Sequence, residues 1–195
     1  MAKYEIEYSE YEIHKSAVCF DGDERPNSVG SVGTLEEELE TTTVTKKSEG
    51  RLVKSRTKGS GAGTLKVTLH IKNSIYMKMQ AMEDEDLAEG VYAYGTKRKH
   101  PVFSYVAQVE DEDGVEKLIA YPKCSLTTGP TSKIENGAEE VAEREVEIAL
   151  FADENGNTKY EVMVSELAED SQIANNWFTK PFSYENVKKS VSIGG

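Results

Sequence analysis

A chain of 195 residues with a formal charge of -12 repels nucleic acid and anionic membrane over most of its surface, which disfavours a general DNA- or lipid-binding role. Hydrophobic residues make up 37% and the mean hydropathy is -0.57, a balance that suits a thin β layer with extended arms burying area against copies of itself, a solvated tail being the plainer account. Cys19 and Cys124 cannot make a disulfide framework and are too far apart for a metal motif. No apolar run reaches membrane-spanning length, and an N-terminus carrying Glu5, Glu7, Glu10 and Glu12 is unlike a signal peptide, so the expected setting is a cytoplasm.

In chain order, Tyr4, Ile6 and Tyr8 alternate with Glu5 and Glu7, and the phase slips by one before Tyr11 and Ile13. That pattern predicts a strand with a bulge near Ser9-Glu10, continuing through Ser16 to Phe20 and ending in a loop at Asp21-Gly22-Asp23 and Pro26-Asn27. Residues 1–34 thus read as an N-terminal strand and loop arm. Leu35 to Thr45 is a strand, because Thr41-Thr42-Thr43-Val44-Thr45 is β-branched.

The segment 46–63 changes character. Lys46, Lys47, Arg51, Lys54, Arg56 and Lys58 stand against a single acid, Glu49, which leaves -17 on the rest of the chain. With Gly59-Ser60-Gly61-Ala62-Gly63 at its end, it reads as a flexible basic loop: either simply solvated or a docking arm for an acidic surface.

Leu65, Val67, Leu69 and Ile71 alternate with Lys66, Thr68 and His70, predicting a half-buried strand. Asn73 or Ser74 caps a short helix over 74–82 in which Ile75, Met79 and Met82 share a face, and Glu83 to Asp86 stops it. Val91 to Tyr94 is extended, and Lys97 to Pro101 is a basic turn. Val102–Glu110 and Val115–Cys124 flank Asp111-Glu112-Asp113-Gly114, a hairpin signal, with Pro122 demanding an edge or bulge. Glu143–Phe151 and Thr158–Val164 flank Asp153-Glu154-Asn155-Gly156, which reads as a second hairpin and so a four-strand β unit within a core of 64–164. Residues 171–195, with Trp177, Phe178, Phe182 and Tyr184, read as a tail that packs without forming an element.

Catalytic chemistry finds no foothold. His14, His70 and His100 fall in three separate segments. The Asp153 loop starts like a calcium loop, yet its sixth and twelfth positions are Thr158 and Val164, which leaves out the turn glycine and the bidentate acid. Nucleophile-elbow, phosphate-loop and dinucleotide patterns are absent, so the expectation is no enzyme, no cofactor and no metal. One pattern stands out: Glu143, Glu145 and Glu147 project from one side of their strand and Arg144, Val146, Ile148 and Leu150 from the other. This is a solvent face in a monomer, or the lining of a negatively charged bore if the sheet closes into a tube.

The run TLKVTLHI, SIYMKMQAM, GVYAYG, HPVFSYVAQVEDEDGVEKLIAYPKCSL, TGPTSKIENGAEEVAEREVEIALFADENGNTKYEV and NNWFTKPF, covering Thr64 to Phe182, resembles the major tail proteins (tail tube proteins) of long-tailed bacteriophages of Gram-positive hosts. The first 45 residues match less clearly. The resemblance implies a single tail-tube domain, mainly β, with a β-sandwich or open barrel of antiparallel strands, one short flanking α-helix, a long basic loop and extended termini. It implies a structural virion protein, assembled in the host cytoplasm, whose hexameric rings stack into the tail tube. Its expected partners are further copies of itself, the tape-measure protein and the tail initiator and terminator proteins, with DNA passing unbound and no membrane contact. In that setting Lys46, Lys47, Arg51, Lys54, Arg56 and Lys58 belong to the ring-stacking loop, meeting acidic patches such as Glu83–Asp86 or Glu36–Glu40, and Glu143, Glu145 and Glu147 line the lumen. The tube of a phage-tail-like bacteriocin, or a monomeric β-sandwich binding module, are the alternative readings.

Overall fold

A computed structural model describes residues 7–49, 51–137 and 141–189. The chain is mainly antiparallel β. Its strands are β1 (Glu12–Phe20), β2 (Asn27–Ser28), β3 (Gly30–Ser48), β4 (Arg51–Ile71), β5 (Phe103–Glu110), β6 (Glu116–Leu126), β7 (Arg144–Phe151) and β8 (Tyr160–Met163). The helices α1 (Asn73–Met79) and α2 (Ile173–Trp177) are short. One eight-stranded sheet runs β2-β1-β5-β6-β7-β4-β3, with β8 attached to β6.

The sheet folds over itself, so that β7-β4-β3 lies across β1-β5-β6. Alternation supplies the core between them: Leu65, Val67 and Leu69 from β4 and Val146, Ile148 and Leu150 from β7 meet Phe103, Tyr105, Ile119 and Tyr121 from β5 and β6. Tyr76 and Met79 of α1 join this core. The other face of β1-β5-β6 is buried too. Ala17, Val106, Leu118 and Ala120 pack under Trp177, whose Nε1 donates to the Ile119 carbonyl at 3.2 Å, with Phe182 edge-on to the indole at 5.1 Å. Covering on both faces is why Phe103 to Val109 is buried at every position.

Among the described residues no ladder joins β3 to β1, so the sheet stays open along that seam. Val29 bridges one end of it, donating to the Ser16 carbonyl at 3.1 Å and accepting from the Lys72 N–H at 2.9 Å.

Several expectations are met: the turn at Asp111–Gly114, with Gly114 at φ 78°, the Leu65–Ile71 strand, and an irregularity opposite Pro122 between Phe103 and Tyr105. Pro122 sits where β6 changes neighbour, from β8 along Lys117–Ala120 to β7 along Lys123–Leu126, the place where a missing N–H is tolerated.

Other expectations are corrected. The Asp153–Gly156 turn forms, but β7 and β8 do not pair as a hairpin: β7 already has β4 on one edge and β6 on the other, and β8 extends along β6 instead. The four-strand unit is therefore built differently from its sequence order. Segment 46–63 is not a loop, since it forms the far half of a β3–β4 hairpin whose pairing runs from Gly30↔Ile71 to Ser48↔Arg51.

In the N-terminal arm, β1 starts at Glu12 and its slip lies between Ile13 and Lys15, later than Ser9-Glu10; Tyr4 and Ile6 fall outside the described residues. The helix ends at Met79, because Ala81 takes a positive φ of 52°, and its N-cap is Lys72 with no side-chain cap. Val91–Tyr94 forms no strand. The tail includes α2 and is anchored by Trp177, while residues 190–195 lie outside the described set.

Candidate assembly surfaces

β3 and β4 are 19 and 21 residues long, and only their inner halves belong to the body. β7 accompanies β4 from Leu69 to Ala62 and then ends at Phe151. Beyond that point the hairpin continues as a two-stranded ribbon. At about 3.4 Å per residue, Thr41–Ser48 reaches roughly 27 Å. Every described side chain from Thr41 to Ser60 is exposed, so neither face of the ribbon is covered. An uncovered two-stranded ribbon is marginal by itself in water.

The six bases of the sequence reading are brought together here, and the pairing sorts them. Thr42↔Lys58, Val44↔Arg56, Lys46↔Lys54 and Ser48↔Arg51 stand opposite one another, which places Arg51, Lys46, Lys54, Arg56 and Lys58 on one face. Lys47 lies on the other face with Thr41, Thr43, Thr45, Ser55 and Thr57, where the Thr43 and Thr57 hydroxyls bond at 2.8 Å. Lys46 directly opposite Lys54 sets like charges against each other, a destabilising pair unless an anion intervenes.

On the body, the glutamates of β7 do point away from the core. Glu145 and Glu147 are turned outward while Val146, Ile148 and Leu150 are buried, and Arg144 lies over the Tyr76 ring at 4.3 Å. Exposed Glu143 precedes the strand, 4.0 Å from His70 Nε2. Together the three line a groove of about 570 Å³ with Thr128, Thr131 and Lys133. Their outer face continues across β4 to β3, where Glu147, Lys66 and Glu36 form one row, Glu145, Thr68 and Thr34 the next, and Glu38 stands opposite Thr64. Lys66 is thus one cation among four carboxylates. Of the two acidic patches, Glu83–Asp86 is partly engaged already: Asp84 pairs with Arg98, whose Nη1 also donates to the Glu83 carbonyl at 3.2 Å. The N–H of Asp86 and Arg98 together hold the Asp84 carboxyl below its ordinary value.

A half-buried polar relay was missed by sequence reasoning. Glu37 points inward between Leu35 and Leu39, accepts a hydrogen bond from the Tyr121 hydroxyl, and pairs with Lys159 at 2.7 Å. Lys159 also pairs with Glu161 at 2.6 Å, and Lys117, only 7% exposed, pairs with Glu161 and Glu10. Burial pushes the Lys159 ammonium down, but Glu161 and Glu37 outweigh it and hold it above its ordinary value. Burial and the Glu37 carboxylate push the Tyr121 phenol up. The relay lies in a groove of about 390 Å³ along the open seam, pinning the edge strand β3 to β6 and β8. Its signal was available, since an acid two residues from Leu35 and two from Leu39 falls on the apolar side of a strand.

The three histidines stay apart: His14 contacts Glu110 at 2.9 Å, His70 faces Glu143, and His100 lies between the Leu126 carbonyl and the Tyr94 hydroxyl. Among the described residues no group of three or more His, Cys, Asp or Glu is arranged to hold a metal ion. Asp153, read against a calcium loop, accepts the N–H groups of Asn155 and Asn157 and the Tyr160 hydroxyl. Cys19 and Cys124 are buried free thiols, each pushed up by burial. No helix among the described residues is long and apolar enough to cross a membrane.

No family model matches the chain, and no curated protein matches it in sequence. Among solved structures it is similar to a chain of the anti-feeding prophage baseplate, determined by cryo-electron microscopy with six-fold symmetrisation. The identity is 10% and the TM-score 0.45, over 86% of this chain and 100% of that one. The likeness is one of general chain course, and no function passes across it.

Proposed function

We propose that this chain is a structural virion protein that self-assembles into stacked hexameric rings forming a bacteriophage tail tube, an acidic-lined conduit for DNA. The observation that carries the reading is the β3–β4 ribbon: bare on both faces, basic, and projecting from an acidic body that is itself open along one edge. Such a hairpin has no packing partner among the described residues, and a second copy supplies the opposite charge. The ribbon reaches the adjacent ring through Lys46, Lys47, Arg51, Lys54, Arg56 and Lys58. Head-to-tail contacts of this kind close into rings and stack.

Glu143, Glu145 and Glu147 line the bore. DNA carries about one negative charge per 1.7 Å of axis, so carboxylates there keep it from adhering. The tape-measure, initiator and terminator proteins are the partners that such a tube requires, and the role is non-enzymatic.

Negative-stain microscopy of the concentrated protein tests the reading. Tubes or ring stacks with an axial channel are expected, and a persistent monomer at every concentration and salt overturns it. Changing Glu143, Glu145 and Glu147 to Lys leaves assembly intact and slows DNA ejection. Unchanged ejection removes the lumen role.

A further inference from the structure

We propose that Asn136 is a site of spontaneous covalent modification, where the chain converts its own carboxamide to a carboxylate through a cyclic imide, while Asn155, set in the same tripeptide, is held back by its turn. The inference stands apart from the assembly reading, since the chemistry needs only the chain's own atoms and water.

The sequence supplies an internal control. Glu-Asn-Gly occurs twice, as Glu135-Asn136-Gly137 and as Glu154-Asn155-Gly156. Cyclisation uses the backbone nitrogen that follows the asparagine. That nitrogen gives up its proton and attacks the asparagine Cγ, the new C–N bond closes a five-membered ring, and the side-chain nitrogen leaves as ammonia. Water then opens the ring at either carbonyl, giving aspartate or its β-linked isomer, so that a carboxamide and a water become a carboxylic acid and an ammonia. Glycine favours the attack, because without a Cβ it neither crowds the ring nor restricts the backbone. Both asparagines are exposed, both glycines take positive φ, 69° at Gly137 and 82° at Gly156, and a Cβ added to either would meet nothing within 4 Å. Neither the tripeptide nor access to water separates the two sites.

What separates them is how the backbone is held. At the second site the Asp153 Oδ1 accepts the N–H groups of Asn155 and Asn157, each at 2.9 Å, and the Asp153 N–H donates to the Asn157 carbonyl at 3.0 Å. The attacking nitrogen itself, that of Gly156, donates to the Asp153 carbonyl at 3.0 Å. A nitrogen whose proton is engaged in this way is a poorer acid, and bringing it onto the Asn155 Cγ requires the turn to open first. The first site lies in 127–143, the connection from β6 to β7, which has no strand or helix among its described residues. Thr131 ties that connection to the Tyr76 hydroxyl, and every residue from Ser132 to Gly137 is exposed. Long connections of this kind open at little cost.

Conversion changes a defined surface. Gly137 lines a groove of about 910 Å³ with His70, Lys133, Glu135 and Glu143. A carboxylate at position 136 joins the two already there, and the β-linked isomer also lengthens the backbone by one carbon. The change runs one way, so the charge beside this groove follows the age of the chain.

The test is peptide mapping by mass spectrometry of the full chain aged in mildly alkaline buffer, with isoaspartyl methyltransferase labelling to mark the β-linked product. Asn136 is expected to convert at least about tenfold faster than Asn155 in the folded chain, and the two rates to converge within about twofold in urea, where only the shared tripeptide remains. Asp153→Ala removes the acceptor of two N–H groups in the turn and is expected to speed Asn155 toward the rate of Asn136, leaving Asn136 unchanged. Asn136→Gln, which would have to close a larger ring, is expected to suppress labelling of the folded chain. Circular dichroism confirms the fold of both variants. Equal rates in the folded chain, faster conversion at Asn155, or a difference that persists in urea overturns the role of the turn. No conversion at Asn136 overturns the site itself.

Discussion

Replacing Lys159 with Met isolates the contribution of the relay that pins β3 to the body. The substitution keeps most of the aliphatic stem and removes the cation between Glu37 and Glu161. Breaking a fully buried pair costs about 3–5 kcal/mol, and breaking an exposed one about 0.2–1 kcal/mol. The Lys159 and Glu37 side chains are each 20% exposed, and Glu37 keeps the Tyr121 hydroxyl, so the expected loss lies between these limits, at about 2 kcal/mol. For a domain of this size that is a fall of about 4–8 °C in Tm.

Urea denaturation of Lys159→Met, Glu37→Gln and the double variant forms a cycle, with an expected coupling of about 1–2 kcal/mol. The pH dependence has a definite sign. Lys159 is held above its unfolded value, so its contribution is fully present below about pH 10.4 and fades as pH rises through the folded value. A loss below about 0.5 kcal/mol with no coupling would refute the relay as a tie.

Trp177→Ala removes the indole from the outer core and is expected to cost about 3–5 kcal/mol, whereas Trp177→Phe, which loses the bond to the Ile119 carbonyl but keeps a ring beside Phe182, costs about 1–2 kcal/mol; chemical denaturation followed by circular dichroism reads both. At Asp153 burial pushes the carboxyl up, but the Tyr160 hydroxyl and the N–H groups of Asn157 and Asn155 outweigh it and hold the group below its ordinary value. Its contribution is therefore present above about pH 4 and lost as pH falls through the folded value, and Asp153→Asn flattens that acid limb. Gly33 lies under the Glu143 carboxylate, which an added Cβ would meet at 2.4 Å. Because that carboxylate ends an exposed, flexible side chain, Gly33→Ala is expected to cost less than about 0.5 kcal/mol by urea denaturation; a larger cost that persists when Glu143 is also changed to Ala would assign it to the backbone of the bulge.

What the sequence made legible was local. The Asp111–Gly114 and Asp153–Gly156 turns, the alternation of Leu65 to Ile71 and the apolar spacing of α1 each follow from neighbours within a few residues. Pairing partners are not local. Nothing in Thr158–Val164 shows that both edges of β7 are already taken, so proximity suggested a hairpin where β8 joins β6. The basic segment misled for a different reason. Its glycines, serines and lysines have the composition of a loop, while the alternation of Lys54, Arg56 and Lys58 with Ser55 and Thr57 is that of a strand whose two faces are both wet. Apolar periodicity cannot reveal a strand whose described side chains are all exposed. Glu37 was hidden in the run Glu36–Glu40, where four acids read as one patch although the strand sends Glu37 to the opposite side from Glu36 and Glu38.

That division depends on one irregularity. The register of β3 shifts between Val32 and Thr34, so that Val32 and Leu35, three apart, both face the core. Gly33 occupies the extra position, with the Glu143 carboxylate where a side chain would otherwise stand. Without the shift, Glu36 and Glu38 would turn inward against Leu65 and Val67, and Glu37 would leave Tyr121 and Lys159 for solvent. The bulge therefore does two things with a single residue. It aims one carboxylate inward to tie down the edge strand at the root of a long lever, and it keeps its neighbours outward, on the face where Glu36 shares a row with Lys66 and Glu147. A ribbon projecting about 27 Å transmits force to its root, and the tie at Glu37 lies within a few residues of where β7 stops supporting it. The tie at the base and the acidic outer face thus follow from the same phase of alternation, and a one-residue slip would remove both together.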